Sequence, residues 1–397
     1  MRVCFVPSWY PRPSAPFNGT FFREQARMLA DAGHDVSVLS AEPVRAESRD
    51  WIVRPRLAIE DGLRVVRVDL PTLPRGARLL EERLHRSLLA RAARLLEHEV
   101  GTPHVVHGHT VFPGGTSAAF LAERWGAPLV LTEHRPSSIS APAFLSRRRR
   151  IDAAVGRASL LTTVSSGFAS ALDARYPRTS WVAIPLPVPD LFFEARRVDR
   201  EPSAPIRFLH VSHIDDNKRV VETCRAFADA FPEGGARLTV IGGTPESIER
   251  VRGGLGGEIP AHVEFVGRKP RSEIAAAMAA SDVFILVSAV ETGGAVFSEA
   301  QAAGVRILAS ATWGGRFAVR DGLGELVPVD DHDALVDAMR RLANDEGYLA
   351  PADIRARARE RYSESSFTDR WTALYREVTD EADDPSRRAH RERRRPA

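Results

Sequence analysis

The chain has 397 residues, of which 44% are hydrophobic and 27% charged; that is more than one hydrophobic core organises, so two globular domains are expected. Its net charge of +3 gathers in the closing RRAHRERRRPA (387–397), where six arginines less Glu392 give +5 and leave about −2 elsewhere (3 − 5). A near-neutral body excludes a nucleic-acid binder, whose basic face would lie on the fold itself, and two distant cysteines, Cys4 and Cys224, exclude a disulfide framework or zinc ribbon and suit a reducing cytoplasm.

The opening MRVCFVPSWYP predicts no signal peptide, and no run approaches the roughly 18 apolar residues of a membrane span. Apolar runs then alternate with amphipathic segments. RVCFVP (2–7) reads as a strand, FFREQARMLADAG (21–33) as a helix and DVSVLS (35–40) as a strand. RVVRVDL (64–70), a long helix within 76–99, HVVHGH (104–109), GTSAAFLAERWG (115–126) and PLVLTEH (128–134) follow. SLLTTVS (159–165), a helix to about residue 176 and WVAIP (181–185) close the first half. A proline-rich linker is expected over 186–205, before the rhythm restarts with IRFLHVS, a helix after Lys218, RLTVIGG, VEFVGR, DVFILVS, VRILAS and ELVPV. Continuous apolar strands alternating with helices predict an α/β fold with two Rossmann-like, doubly wound parallel-sheet domains, 1–185 and 206–365. Residues 381–397 read as a disordered tail. Two such domains would bind a ligand in the cleft between them, at the carboxyl ends of the strands.

The stretch ETGGAVFSEA (291–300) carries the chemistry best. Glu291 closes a strand, Gly293 and Gly294 permit close backbone approach, and a helix begins near Ala295. The amides of Ala295 and Val296 would then seat a diphosphate, while Glu299, one turn inside, could accept two ribose hydroxyls. Taken alone, both acids read equally well as solvated surface carboxylates. Lys218 opens a helix, where a cation is unfavourable and asks for an anion. Gly267 and Arg268 end a strand and suit a base pocket. Gly19 offers a second backbone approach from the other domain. Asp215–Asp216 and Asp331–His332–Asp333 read as loop and N-cap rather than metal ligands.

These pieces together resemble retaining glycosyltransferases of family 4, with the two-domain GT-B architecture. The likeness runs over residues 1–380 through PSWYP…NGTFFREQA…GHDVSVL, VVHGHT…GG, PLVLTEH, the Lys218 helix, VEFVGR, ETGGAVFSE, AQAAGVRILAS and the pair Gly314–Gly315. It implies a nucleotide-diphosphate sugar held by the second domain, an acceptor held by the first, and a final helix (366–380) returning to the first. It assigns Glu299 to the ribose, Glu291 to donor-sugar hydroxyls, Lys218 to the diphosphate and Gly19 to a backbone approach. His109 matches the active-site histidine, and His134, Trp9 and Tyr10 fall on the acceptor side. His107, mid-strand, reads as a core residue.

Two positions depart from the family pattern. Ser212 and His213 stand where an arginine is usual, five residues before the lysine, so His213 could supply a charge only when protonated. Leu186 stands where asparagine is common. The resemblance implies a hexosyl or amino-hexosyl transferase that retains configuration, needs no cofactor or metal, and serves surface-polysaccharide, glycoconjugate or natural-product assembly. Its acceptor would be a small molecule, a lipid-linked species or a polysaccharide. The rival readings are a GT-B epimerase or hydrolase and a non-catalytic partner subunit; a nicotinamide oxidoreductase is disfavoured because no strand is followed by G-x-G-x-x-G. In helix 76–99, Leu80, Leu84, Leu88 and Leu95 are expected on one face, ringed by Arg83, Arg86, Arg91 and Arg94. With the run Arg147–Arg150 they suggest peripheral contact with an anionic inner membrane face, or else solvated helix surfaces.

Overall fold

The computed structural model describes residues 1–16, 18–45, 53–74, 76–320, 322–344 and 347–383. The basic run 387–397 and most of the expected tail lie outside the described residues. The chain divides into two compact units. One comprises Met1–Val164, Ala169–Ile184 and the segment from Thr368; the other comprises Ser165–Phe168 and Pro185–Phe367.

Among the described residues, the first unit holds an eight-stranded sheet. Its strands are β1 (Arg2–Pro7), β2 (Asp35–Arg45), β3 (Arg56–Glu60), β4 (Leu63–Thr72), β5 (Val105–His109), β6 (Leu129–Glu133), β7 (Leu160–Thr163) and β8 (Trp181–Ala183). They lie in the order β3-β4-β2-β1-β5-β6-β7-β8, all parallel except for β3 against β4. Every residue of β5 and β6 is buried, as expected for strands covered on both faces. The edge strand β3 escaped the sequence reading: RLAIE is half exposed and lacks a continuous apolar run. It is pinned to its neighbour by Arg67, which donates to both Glu60 oxygens at 2.7 and 2.6 Å.

The second unit holds a six-stranded parallel sheet of β9 (Ile206–Ser212), β10 (Ala236–Gly242), β11 (Val263–Gly267), β12 (Val283–Leu286), β13 (Arg306–Ser310) and β14 (Gly324–Val327). The order is β11-β10-β9-β12-β13-β14. The chain runs outward from β9 on one side and from β12 on the other, so the loops leaving these two strands diverge and open a crevice.

Two sequence expectations shift. Residues 186–205 are not a free linker: Val188, Phe192 and Phe193 lie in the core of the second unit because the apolar stretch VPDLFF folds back onto it. The long helix Arg78–Val100 buries His85, Leu88, Leu89, Ala92, Ala93 and Leu96, whereas Leu80 is 62% exposed. The buried stripe is thus rotated from the expected leucine face, since small alanines let the helix sit close to β4. The last helix, Glu364–Asp383, joins the first unit from Thr368 onward.

Candidate functional site

In the second unit, β9 and β12 are adjacent, with Phe208 opposite Val283. Asn217, in the loop after β9, ties that loop to the one after β12. Its carbonyl accepts the Ala289 N–H at 2.9 Å, its Oδ1 accepts the Val290 N–H at 3.0 Å, and its Nδ2 donates to the Val290 carbonyl at 3.0 Å. The next residue, Lys218, thereby meets the next residue on the other side, Glu291, with Nζ 2.8 Å from Oε2. Both side chains are mostly covered, 19% and 15% exposed, so water screens this pair less than a surface one.

The other Glu291 oxygen, Oε1, accepts the Gly294 N–H at 3.2 Å. Gly294 has φ +60°, the left-handed region, and a Cβ there would collide with the Phe297 ring. Gly314 also closes on this turn. It donates its N–H to the Glu291 carbonyl at 2.8 Å, and a Cβ on it would stand 2.9 Å from Glu291 Cγ. The helix Ala295–Ala302 starts here with no side-chain cap, so its first amides and its dipole favour negative charge. Glu299 lies on that helix, 12% exposed, with the Arg271 Nη2 donating to Oε1 at 2.8 Å. His213 and Arg268 are exposed on the loops after β9 and β11.

In the first unit, β1 and β5 are adjacent, with Pro7 opposite His109. Ser8 joins the loops beyond them: its Oγ donates to the His109 carbonyl at 2.9 Å and accepts the Gly114 N–H at 2.8 Å. His109 is fully buried between Phe5, Phe22 and His107, ring centroids 4.6, 4.9 and 4.1 Å away. Its Nδ1 lies 3.3 Å from His134 Nε2, and its Nε2 has no hydrogen-bond partner among the described residues. His107 is the satisfied core histidine, with Nδ1 2.7 Å from the Tyr375 hydroxyl and Nε2 2.7 Å from Thr132 Oγ1. Gly19 has φ +82°, and a Cβ there would stand 2.8 Å from the Trp9 carbonyl. Trp9 is partly exposed, with the Arg135 guanidinium 3.5 Å from its ring centroid. Tyr10 does not share that setting. It is a core residue, 1% exposed, with Arg67 5.4 Å from its ring, so it presents no face to a ligand.

Burial sets the protonation of this cluster. It holds His107 and His109 well below the usual imidazole range and, with Arg135 nearby, pushes His134 down to about 3. Glu133 is pushed up to about 6 by burial, against three backbone N–H groups that favour its charge.

Comparison with known proteins decides the family. Residues 192–361 match the family described as glycosyl transferases group 1, and residues 19–187 match the glycosyl transferase 4-like domain. The chain is a group 1 glycosyltransferase. It is 27% identical over 351 residues to the phosphatidyl-myo-inositol mannosyltransferase of Mycolicibacterium smegmatis, covering 83% of each chain. In fold it is similar to the sucrose-phosphate synthase of Thermosynechococcus elongatus (TM-score 0.70, 19% identity, 95% of this chain and 98% of that one). It is also similar to HepE of Anabaena, solved with UDP and glucose (TM-score 0.67, 16% identity, 94% of this chain and 99% of that one). The two parallel-sheet units are thus those of GT-B glycosyltransferases.

Several residues that shape this glycosyltransferase escaped the sequence reading. Asn217 was hidden because its partners lie 73 positions away; only its place beside Lys218 could have marked it. Arg271 sits in the basic run RKPR (268–271), whose direction toward Glu299 no periodicity encodes. Glu133 accepts the N–H groups of Val111, His134 and Arg135 at 2.7–2.8 Å and so fixes the turns after β5 and β6. Asp331, by contrast, is the N-cap that its sequence predicts: it accepts the Ala334 N–H at 2.9 Å at the start of the helix His332–Ala343. Among the described residues, no three His, Cys, Asp or Glu side chains converge as metal ligands, and no helix is long and apolar enough to cross a membrane.

Proposed function

We propose that this glycosyltransferase moves a hexosyl or amino-hexosyl group from a nucleotide-diphosphate sugar to a hydroxyl acceptor, retaining the anomeric configuration. The donor belongs to the second unit and the acceptor to the first. The observation that carries the reading is the Lys218–Glu291 pair beside the uncapped helix start at Ala295. A cation, a carboxylate and a set of free-ended amides are what a diphosphate and a sugar ring require side by side.

Breaking the bond from the sugar to the diphosphate leaves the electron pair on a phosphate oxygen. Lys218 and the amides of Ala295 and Val296 would stabilise that charge as it forms. Glu291 would hold the sugar hydroxyls, and Glu299 the ribose. The acceptor oxygen then bonds to the anomeric carbon, and its proton passes to the departing phosphate on the same face. His109, fully buried and held neutral by that burial, presents neither a charge nor an open face to the sugar. The likeness to a mycobacterial phosphatidyl-myo-inositol mannosyltransferase supports an inositol-lipid class of acceptor. So do Leu79, Leu80 and Leu145, exposed beside Arg83 and Arg147–Arg150, which suit an anionic membrane surface. The cytoplasm, where nucleotide sugars are made, fits this role.

Thermal-shift titration with UDP, GDP and ADP, followed by transfer from the matching nucleotide sugar with anomeric assignment by NMR, tests the proposal. At least one nucleotide should raise the melting temperature by mass action. No binding by any of them would refute the donor site. Donor turnover without an acceptor would replace transfer by hydrolysis or epimerisation.

A further inference from the structure

Each of the two acids in the second unit carries its own cation, but the two pairs differ. Lys218, at the end of the short turn Asp216–Lys218, brings a point charge to Glu291, whereas the planar Arg271 guanidinium meets two groups at once. Its Nη2 donates to Glu299 Oε1 at 2.8 Å, and its guanidinium lies 5.4 Å from the ring centroid of Phe192. Phe192 is 1% exposed and part of the core, so it is a fixed platform. A planar guanidinium between a fixed ring and a carboxylate orients that carboxylate, which a lysine at the same place would not. Arg271 also opens the helix Arg271–Ala279 directly after the strand that ends at Gly267, so backbone rather than a mobile loop tip places it.

We propose that Arg271 is the positioning residue of the ribose site: it freezes the Glu299 carboxylate before the nucleotide arrives and so makes the enzyme selective for a nucleotide with both ribose hydroxyls. This rests on the reading of Glu299 as the ribose contact. A glutamate that must lose its side-chain freedom on ligand arrival binds about tenfold more weakly than one already held. Arg271 removes that loss and leaves Glu299 as an oriented acceptor pair. Arg271 acts through Glu299, so its effect is confined to the ribose and does not reach the diphosphate that Lys218 serves.

The experiment is calorimetric titration of the full chain with whichever of UDP, GDP and ADP binds, and with its 2′-deoxy and 3′-deoxy forms. The unaltered protein should prefer the ribonucleotide by about tenfold over at least one deoxy form. Arg271→Ala should weaken the ribonucleotide about fivefold or more, leave that deoxy form within about twofold, and so erase the preference. Arg271→Lys, which keeps the charge but not the planar fork, should restore only part of it. Urea midpoints of both variants separate this from unfolding, and the lysine variant carries the test should the alanine variant not fold. If Arg271→Ala weakens all the nucleotides equally, or tightens the ribonucleotide, Arg271 is not a positioning residue. If Glu299→Ala keeps the full preference for ribose, the underlying assignment of Glu299 fails instead, whatever Arg271 does. Failure of all three nucleotides to bind the unaltered chain would overturn both.

Discussion

Replacing Glu291 by Gln should tighten the binding of a plain nucleoside diphosphate while slowing sugar transfer. The sign follows from the 2.8 Å contact between Lys218 Nζ and Glu291 Oε2. Lys218 can serve the diphosphate only by loosening its hold on Glu291, so part of its attraction is already committed. The pair is 19% and 15% exposed, which places its net worth at about 0.5–1.5 kcal/mol, between an exposed ion pair and a fully buried one. Glu291→Gln removes the competitor and keeps the shape, so affinity for the nucleoside diphosphate should rise about two- to tenfold. Lys218→Gln should lower it by about 1.5–3 kcal/mol, the worth of a charged hydrogen bond to phosphate. Turnover should fall in both variants, because the sugar loses its carboxylate in one and the leaving group its cation in the other. Calorimetry on the two variants and the double variant reads the coupling directly. Equal weakening by both single changes, or strict additivity in the double variant, would refute the exchange.

Asn217→Ala removes a side chain that both accepts and donates between the two loops, and should cost about 1–3 kcal/mol in urea denaturation while weakening nucleotide binding. An unchanged Kd would mean the loops stay aligned without it. Gly19→Ala forces a left-handed residue and a 2.8 Å contact onto the Trp9 carbonyl, and should lower stability by about 1–3 kcal/mol, whereas Gly126→Ala, where a Cβ meets nothing, should cost only the left-handed strain of about 1–2 kcal/mol; equal losses at both would count against the close approach. Acid should destabilise the fold from about pH 6.5 downward. The pKa values of His107, His109, His134 and His210 are lowered by burial, the last two to about 3. The stability they carry is present above their unfolded value and is lost as pH falls toward the folded one, at about 1.4 kcal/mol per pH unit for each. Glu133, pushed up to about 6, acts the other way, its contribution complete below pH 4.5 and lost as pH rises through 6. Four imidazoles outweigh one carboxylate, so the urea midpoint should drop between pH 7 and pH 5; a constant midpoint would contradict the buried neutral histidines.

The two sheets could be read in the sequence because a strand buried on both faces announces itself as an unbroken apolar run, as in DVFILVS and RVCFVP. The same rule fails for RLAIE, an edge strand facing solvent. The pairing of Lys218 with the ETGG turn was legible as two strand ends aimed at one crevice. What lay outside reach was the bond network that makes the pairing specific. Asn217 bridges 73 positions and Arg271 bridges 28, and neither distance leaves a periodic mark. The helix after Arg78 misled for a physical reason: its seven leucines lie all around it, and of these only Leu88, Leu89 and Leu96 are buried, sharing the inward face with His85, Ala92 and Ala93.

The helix Glu364–Asp383 contributes Trp371 and Tyr375 to the interior of the first unit, 2% and 0% exposed, and the Tyr375 hydroxyl meets His107 at 2.7 Å. Translation therefore delivers the amino-terminal lobe without its last wedge. Until the closing segment leaves the ribosome, an apolar notch beside His107 stays open and its ring lacks one partner. Synthesis of residues 1–184 alone would yield a polypeptide prone to clumping, and a separately supplied peptide bearing Trp371 and Tyr375 would be its natural solubiliser.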